Sequence, residues 1–358
     1  MRFIFKTRYE QDLQFFKDAP TAASYALLAA ALIAAPWVLT EYYQAQLVFV
    51  YISGMVGFGL MLLAGFTGQM SMGHAAFLAI GAYAEAYFQA QGLPFILSAP
   101  LAMMLSAAAG VVIALPATRL SGLYLAIATL AFGFIVEEVL ARWESVTGGN
   151  SGVIVAPLKL FAGSLNSGWG FYYLCLVLVV LVGVAMVNLL RSPTGRAFIA
   201  IRDSEISAQS MGVHLARYKT LSFAISAAIT GLAGTLYAHQ IKFLSPEQFT
   251  VLVSIEFLMM VVIGGLGSLH GAIFGAMFMI FLPEAISTAK DFLPEAVADQ
   301  TGLKATLFGI IMILFVVFEP RGLYGAWVKV HAYFSLFPLY KRGMFARQRA
   351  YTRSERVH

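Results

Sequence analysis

Apolar residues in this chain gather into long runs, separated by short polar or glycine-rich breaks. Ten runs stand out, at 24–40, 46–64, 72–88, 95–115, 123–140, 170–190, 221–240, 252–263, 272–286 and 305–318. Most approach the roughly 20 residues that carry an α-helix across a hydrocarbon core about 30 Å thick. The eighth and ninth form one apolar stretch, interrupted only by Gly264, Gly265, Gly267 and Gly271. That stretch reads as two helices joined by a tight turn.

Composition agrees with the pattern. The 358 residues are 60% hydrophobic and 11% charged, whereas a soluble domain carries about 25% charged residues. So few charges cannot cover a water-soluble globule of this size. The expectation is an all-α polytopic membrane protein with about ten transmembrane helices. The polar, mixed-charge residues 1–20 do not resemble a signal peptide, so the first run is expected to stay as a helix. The single cysteine, Cys175, lies within an apolar run and reads as a small core residue; it allows no intrachain disulfide.

Charge then fixes an expected orientation. With the N-terminus inside and ten alternating spans, 18 of the 23 basic residues fall on the inner side. Only Arg142, Lys159, Lys242, Lys290 and Lys304 fall outside. Basic residues mark cytoplasmic loops, so both termini are expected in the cytoplasm. The expected organisation is a cytoplasmic segment 1–23, a membrane domain 24–320 with a cytoplasmic loop 191–219, and a basic tail 321–358. The tail from Lys341 to Arg356 reads as attraction to anionic lipid headgroups rather than to nucleic acid.

Several kinds of chemistry are missing. The chain has no G-x-x-x-x-G-K-[ST] phosphate loop, no H-E-x-x-H and no His/Cys cluster at metal-ligand spacing. No catalytic residue and no metal ligand is therefore assigned. Acids within the runs are few. Glu85, Glu137, Glu138 and Glu256 are read near outer ends and Glu319 at an inner end, where each reaches water, with Glu256 the deepest. An ion-coupled carrier would need an ionisable group near the midplane, and none is expected there.

Three segments carry more information. The first, 65–83, reads GFTGQMSMGHAAFLAIGAY, with Gly65, Gly68, Gly73 and Gly81 in an apolar context and Gln69, Ser71 and His74 supplying hydrogen-bonding groups. Irregular backbone at membrane depth survives only when buried in protein or lining a cavity. The segment is therefore either a tight helix–helix turn with a satisfied histidine or part of a substrate path. The second, 261–278, reads VVIGGLGSLHGAIFGAMF. Its Gly267, Gly271 and Gly275 suggest a small-residue helix face, and Gly264-x-x-Gly267 echoes Gly65-x-x-Gly68. Paired glycine breaks at corresponding places point to a translocation path.

The third is the loop RSPTGRAFIAIRDSEISAQSMGVHLARYK at 191–219. Ser192-Pro193 reads as a helix start and Gly212 as its end. Ala197, Ile201, Ala208 and Met211 form an apolar stripe against Arg196, Arg202, Asp203 and Glu205. Such a helix either lies on lipid or inserts into a groove on a partner subunit.

These segments, together with TGGNSG at 147–152, YKTLSFAISAAITGLAGTLYA within 218–238 and IGGLGSLHGAIFGA at 263–276, resemble the LivM-type permeases of bacterial branched-chain amino acid ABC importers. The resemblance runs from about Val48 to Gly322. It implies a multi-pass protein of the bacterial cytoplasmic membrane that works by alternating access. The implied partners are a second, LivH-type permease, two cytoplasmic ATP-binding subunits that use ATP and Mg, and a periplasmic substrate-binding protein. It implies no cofactor on this chain itself. It makes the inner loop from Gly195 to Gly212 a coupling helix, with Arg202, Asp203 and Glu205 as polar contacts. The E-A-A-x-x-x-G pattern of importers is altered here: Ile206-Ser207 follow Glu205, and Gly212 lies seven residues on rather than six.

The function expected from this resemblance is import of branched-chain or other apolar amino acids. Carriage of urea, short amides or aromatic acids is the alternative within the family, and an ion-coupled amino acid carrier the alternative outside it. The expected path residues are Gly68, Gln69, Ser71, Gly73, His74, Glu256, Gly264 and Gly267. The expected coupling residues are Gly195, Arg196, Arg202, Asp203, Glu205 and Gly212.

Overall fold

The computed structural model of the chain describes residues 19–117, 120, 122–159, 168–290, 303–319 and 321–336. The N-terminal residues 1–18 and the basic stretch from Lys341 to Arg356 lie outside the described residues. Each of the ten apolar runs forms a helix. These are α1 (Ala19–Val38), α2 (Glu41–Leu60, continued as a π-turn over Met61–Phe66), α3 (His74–Ala90), α4 (Phe95–Ala117) and α5 (Leu123–Arg142). A one-turn helix α6 (Glu144–Thr147) precedes α7 (Gly168–Arg191). Two short helices, α8 (Pro193–Asp203) and α9 (Glu205–Ser210), follow. Then come α10 (Leu215–Ile241), α11 (Val251–Gly264), α12 (Leu269–Lys290), α13 (Leu303–Phe318) and α14 (Gly322–Leu336).

Seven of the described helices are long and apolar enough to cross a membrane, or eight if α13 and α14, bent by 53°, count as one span. The count is lower than the ten runs for a physical reason. Helix α3 has only 17 residues, because its glycine-rich lead-in 67–73 is not helical.

The core is built around α10, which packs along α2, α3 and α4. Its face toward them carries Ser222, Ser226 and Thr230, all fully buried. Small residues let membrane helices approach closely enough for dispersion and hydrogen bonding to hold them, since lipid provides no hydrophobic drive between helices. Helices α1, α5, α7 and α13 are peripheral and expose much of their apolar surface.

The connecting segments gather at two ends. At one end, β1 (Val153–Ile154) pairs antiparallel with β2 (Phe243–Leu244), and Phe95 N donates to Lys159 O at 2.9 Å. At the other end, the α8–α9 loop meets the glycine breaks near Gly65 and Gly267. The described basic residues Arg191, Arg196, Arg202, Arg217, Lys219, Arg321 and Lys329 all belong to this second end.

Glu85 departs from expectation. It does not reach water but is fully buried. Its Oε1 accepts from Ser98 Oγ at 2.8 Å and lies 3.2 Å from His239 Nε2. The acid thereby ties α3 to α4 and α10.

Candidate functional site

The first glycine break starts where α2 loosens into its π-turn. Thr67 Oγ1 donates to Leu62 O at 2.8 Å, and Gln69 N donates to Leu63 O at the same distance. These bonds satisfy carbonyls that the end of a helix would leave unpaired. Gly68 turns the chain with φ +74°, a conformation that side chains resist. Residues 69–73 then run back into the protein. Gln69 is buried and its Nε2 has no hydrogen-bond partner among the described residues. Gly73 passes so close to the Thr129 carbonyl of α5 that a methyl group would collide with it.

His74 opens α3 and is wholly enclosed. Its Nε2 lies 2.9 Å from Ser226 Oγ, and its Nδ1 lies 3.1 Å from Ser71 Oγ. Ser226 Oγ donates its own proton to Gly59 O at 2.7 Å, so it accepts from His74. That assigns the Nε2–H tautomer, with Nδ1 accepting from Ser71. The neighbouring backbone is satisfied in the same way. Met72 N donates to Thr129 Oγ1 at 3.0 Å and Ala75 N to Ser254 Oγ at 2.9 Å. Ser71, His74 and Gly73 therefore form a closed joint among α2, α3, α5, α10 and α11. His74 is thus buried and hydrogen-bonded through both ring nitrogens.

The second break meets the first. Gly265 and Gly267 take φ +112° and +86°, and Gly267 N donates to Met61 Sδ at 3.1 Å. A Cβ on Gly65 would stand 2.8 Å from Gly267 N. Gly264 packs against the Gly271 carbonyl, with no room for a methyl between them. The close face between α11 and α12 is thus Gly264, Gly271 and Gly275, while Gly267 sits in the turn and not on that face.

Arg202 ties the first break to the loop 191–219 and stands beside the second. Its Nη1 donates to Gly65 O at 3.1 Å. Its Cγ would lie 3.2 Å from a Cβ on Gly68, and its Nη1 3.7 Å from one on Gly267. The other side of the guanidinium holds Asp203 Oδ1 at 2.9 and 3.0 Å.

The loop itself begins as expected. Ser192 caps α8 by accepting from Gly195 N at 3.3 Å, and Pro193 occupies the first turn, where its missing N–H costs nothing. One feature differs: the single expected helix is two. Ser204 is extended (φ −164°, ψ 114°) and caps α9 by accepting from Ser207 N. Gly212 ends α9 with φ +87°. Glu205 turns inward and pairs with the buried Lys219 at 2.8 Å, and exposed Arg196 donates to Arg191 O. Ala197, Ile201 and Ala208 are buried as the stripe requires, but Met211 is 85% exposed and Ile206 83%. Arg202 and Glu205 thus bond to this chain, and the apolar Ile206 and Met211 stand free on the surface.

Glu256 lies deeper than its place in the sequence suggests. Ser254 is level with Ala75 through their hydrogen bond. Ala75 is about 22 Å along α3 from its end at Ala90, from a rise of 1.5 Å per residue. The reason is the linker 243–250, which runs from the end of the bundle that holds the β1–β2 pair into the bundle before α11 begins. Its Phe249 ring packs at 5.9 Å from Tyr83 and 5.7 Å from Tyr237. Glu256 is exposed and has no hydrogen-bond or ion-pair partner among the described residues. Sequence reasoning placed it near the outer end because it assumed that a helix fills the whole span.

Sequence reasoning also passed over Ser226, Thr129, Ser254 and Lys219. A signal for the first was present: Ser222, Ser226 and Thr230 recur every four residues within an apolar run. Among the described residues no group of three or more His, Cys, Asp or Glu side chains is placed to hold a metal ion.

Comparison with known proteins places the chain in a family. The family model described as branched-chain amino acid transport system, permease component, matches residues 42–316. The chain is similar to the LivM permease of the high-affinity branched-chain amino acid transport system of Salmonella typhimurium, with 34% identity over 78% of this chain and 68% of that protein. The LivM permease of Escherichia coli K12 gives the same figures. The LsrC permease of the autoinducer 2 import system of Photorhabdus laumondii is 26% identical over 46% of each chain. No solved structure matches.

Proposed function

This chain belongs to the family of branched-chain amino acid transport permease components, and from that premise we propose that it carries branched-chain or other apolar amino acids inward by alternating access, driven by ATP hydrolysed on separate subunits. As a member of that family it is an ABC importer permease and a multi-pass protein of the bacterial inner membrane.

The observation that carries the mechanism is the position of Arg202. A loop outside the membrane bundle is bonded, through one guanidinium, to the first glycine turn and stands beside the second. A push on α8 or α9 therefore reaches Gly65, Gly68 and Gly267 directly. From Gly68 the chain leads through Ser71 to His74 and into α3. From Lys219, held by Glu205, it leads along the full length of α10. Packed cores respond to such pushes by switching between discrete arrangements rather than deforming smoothly.

The remaining organisation follows the charge distribution. Ten spans, counting α1, α3 and α13, put both termini in the cytoplasm and make residues 24–320 the membrane domain. A LivH-type permease completes the path, and a periplasmic binding protein delivers substrate. Two ATP-binding subunits, which use ATP and Mg, receive Ile206 and Met211 in an apolar groove, the mode in which short amphipathic helices dock.

The test is reconstitution of the complete assembly in liposomes. Uptake of leucine, isoleucine or valine that needs ATP inside and binding protein outside supports the reading. Uptake by the permeases alone, driven by an ion gradient, would sink it.

A further inference from the structure

Four observations converge on one face of α11. Glu256 stands about 22 Å or more below the outer end of α3 and about 12 Å along α11 from Gly264 at its other end, well inside a hydrocarbon core about 30 Å thick. It is exposed and unpaired among the described residues. Ser254 points to α3, and two residues along a helix is a turn of about 200°, so Glu256 points away from α3. Leu252, one turn above on the same side, is 65% exposed. This open face lies between the side that meets α5, where Val251 approaches Gly133, and the side that packs on α12, where Met260 approaches Gly275.

A carboxylate at that depth cannot face lipid; acids within spans face a bundle interior or a water-filled cavity. Leu181 on α7 offers the contrast, since it is 58% exposed among the exposed apolar side chains Val177, Val180 and Val184. An anionic group standing alone beside an otherwise apolar lining is complementary to one kind of cargo, a cation carried on an apolar body. We propose that Glu256 lines the translocation path and receives the ammonium group of a zwitterionic amino acid in transit. The proposal rests on the importer reading and narrows it, because urea and short amides carry no ammonium and gain nothing from this carboxylate. Glu256 acts here by charge and position; no proton or covalent bond is exchanged.

The experiment uses the complete assembly in liposomes, with Cys175→Ser as background. Cys175 is buried. A membrane-impermeant charged thiol reagent is applied to Glu256→Cys and to Leu181→Cys. Faster labelling of Glu256→Cys by at least tenfold is expected, because only the path holds water. This readout does not depend on transport. In parallel, Glu256→Gln is expected to lower ATP-driven uptake of leucine by about tenfold, and Glu256→Asp to recover most of it, while ATP hydrolysis stimulated by the binding protein continues. Labelling of Glu256→Cys no faster than Leu181→Cys overturns the proposal, since the partner permease or lipid then covers the residue. Normal uptake by Glu256→Gln overturns it as well. If the unsubstituted assembly shows no ATP-driven uptake, the importer reading fails instead, and the two failures are distinct.

Discussion

The Arg202 guanidinium donates to the carbonyl of Gly65, 137 residues earlier in the chain, at 3.1 Å. The bond crosses from an exposed loop to the point where α2 gives way to irregular backbone. It is charge-assisted, and Asp203 holds the same guanidinium from the opposite side.

Removing that bond should uncouple the loop from the bundle. A hydrogen bond to a charged group contributes about 1.5–3 kcal/mol, enough to shift a two-state equilibrium by about tenfold or more. Arg202→Ala is expected to lower the amount of leucine moved per ATP hydrolysed by about tenfold, with hydrolysis retained. Parallel uptake and phosphate-release measurements in liposomes give the ratio, and an unchanged ratio would count against Arg202 as the link.

Gly68 and Gly92 both have positive φ, at +74° and +85°. A Cβ on Gly92 meets nothing within 4 Å, while one on Gly68 meets Arg202 at 3.2 Å. Left-handed backbone costs a non-glycine residue about 1–2 kcal/mol. Both alanine variants should therefore lose stability, with Gly68→Ala losing more and also transporting less. Thermal unfolding in detergent separates strain from crowding, and equal melting temperatures would show that Arg202 yields freely.

His74 makes two side-chain hydrogen bonds inside the bundle. Such bonds in membrane proteins average about 0.6 kcal/mol and reach about 1.7. His74→Ala should cost about 1–3 kcal/mol, adding the cavity that it leaves. Ser226→Ala should cost less, but His74→Ala/Ser226→Ala less than the sum, because the two share a bond. Strict additivity of the unfolding free energies would refute the shared network.

Ile206 and Met211 are among the most exposed apolar side chains of the described structure. They touch little of their own chain, so Ile206→Asp and Met211→Asp should leave the unfolding free energy of the isolated permease unchanged within about 0.5 kcal/mol. Co-purification of the ATP-binding subunits should fall sharply. Arg196→Ala, at a site where the side chain bonds only its own loop, should leave it intact. Retained co-purification of both aspartate variants would remove these residues from the docking surface.

Much of this was legible before any coordinates. All ten apolar runs are helical, because a continuous apolar run can satisfy its backbone in lipid only by coiling on itself. Glycine clusters marked the breaks, since positive φ at Gly68 and Gly267 is open to few other residues. Ser192-Pro193 and Gly212 bounded the inner loop by local capping chemistry. Other features escaped because they join residues far apart. The pairs Arg202–Gly65, Glu205–Lys219 and His74–Ser226 depend on which helices become neighbours, and no local pattern encodes that. Ser204 split one expected helix into two by a single extended residue.

The sequence by itself determined the membrane class, the helices, the places where they break and the family, because each follows from short-range hydrophobicity, backbone preference and motif order. Tertiary structure alone decided depth and partnership. It took Glu256 from an apparent outer end into the depth of the bundle, because a short strand and a 3-10 turn over 243–249 lead inward before α11 begins. It also bonded Arg202 and Glu205 to their own chain and left Ile206 and Met211 outside, because the buried Lys219 ammonium must find its partner within the fold and the Gly65 carbonyl at the helix break needs a donor.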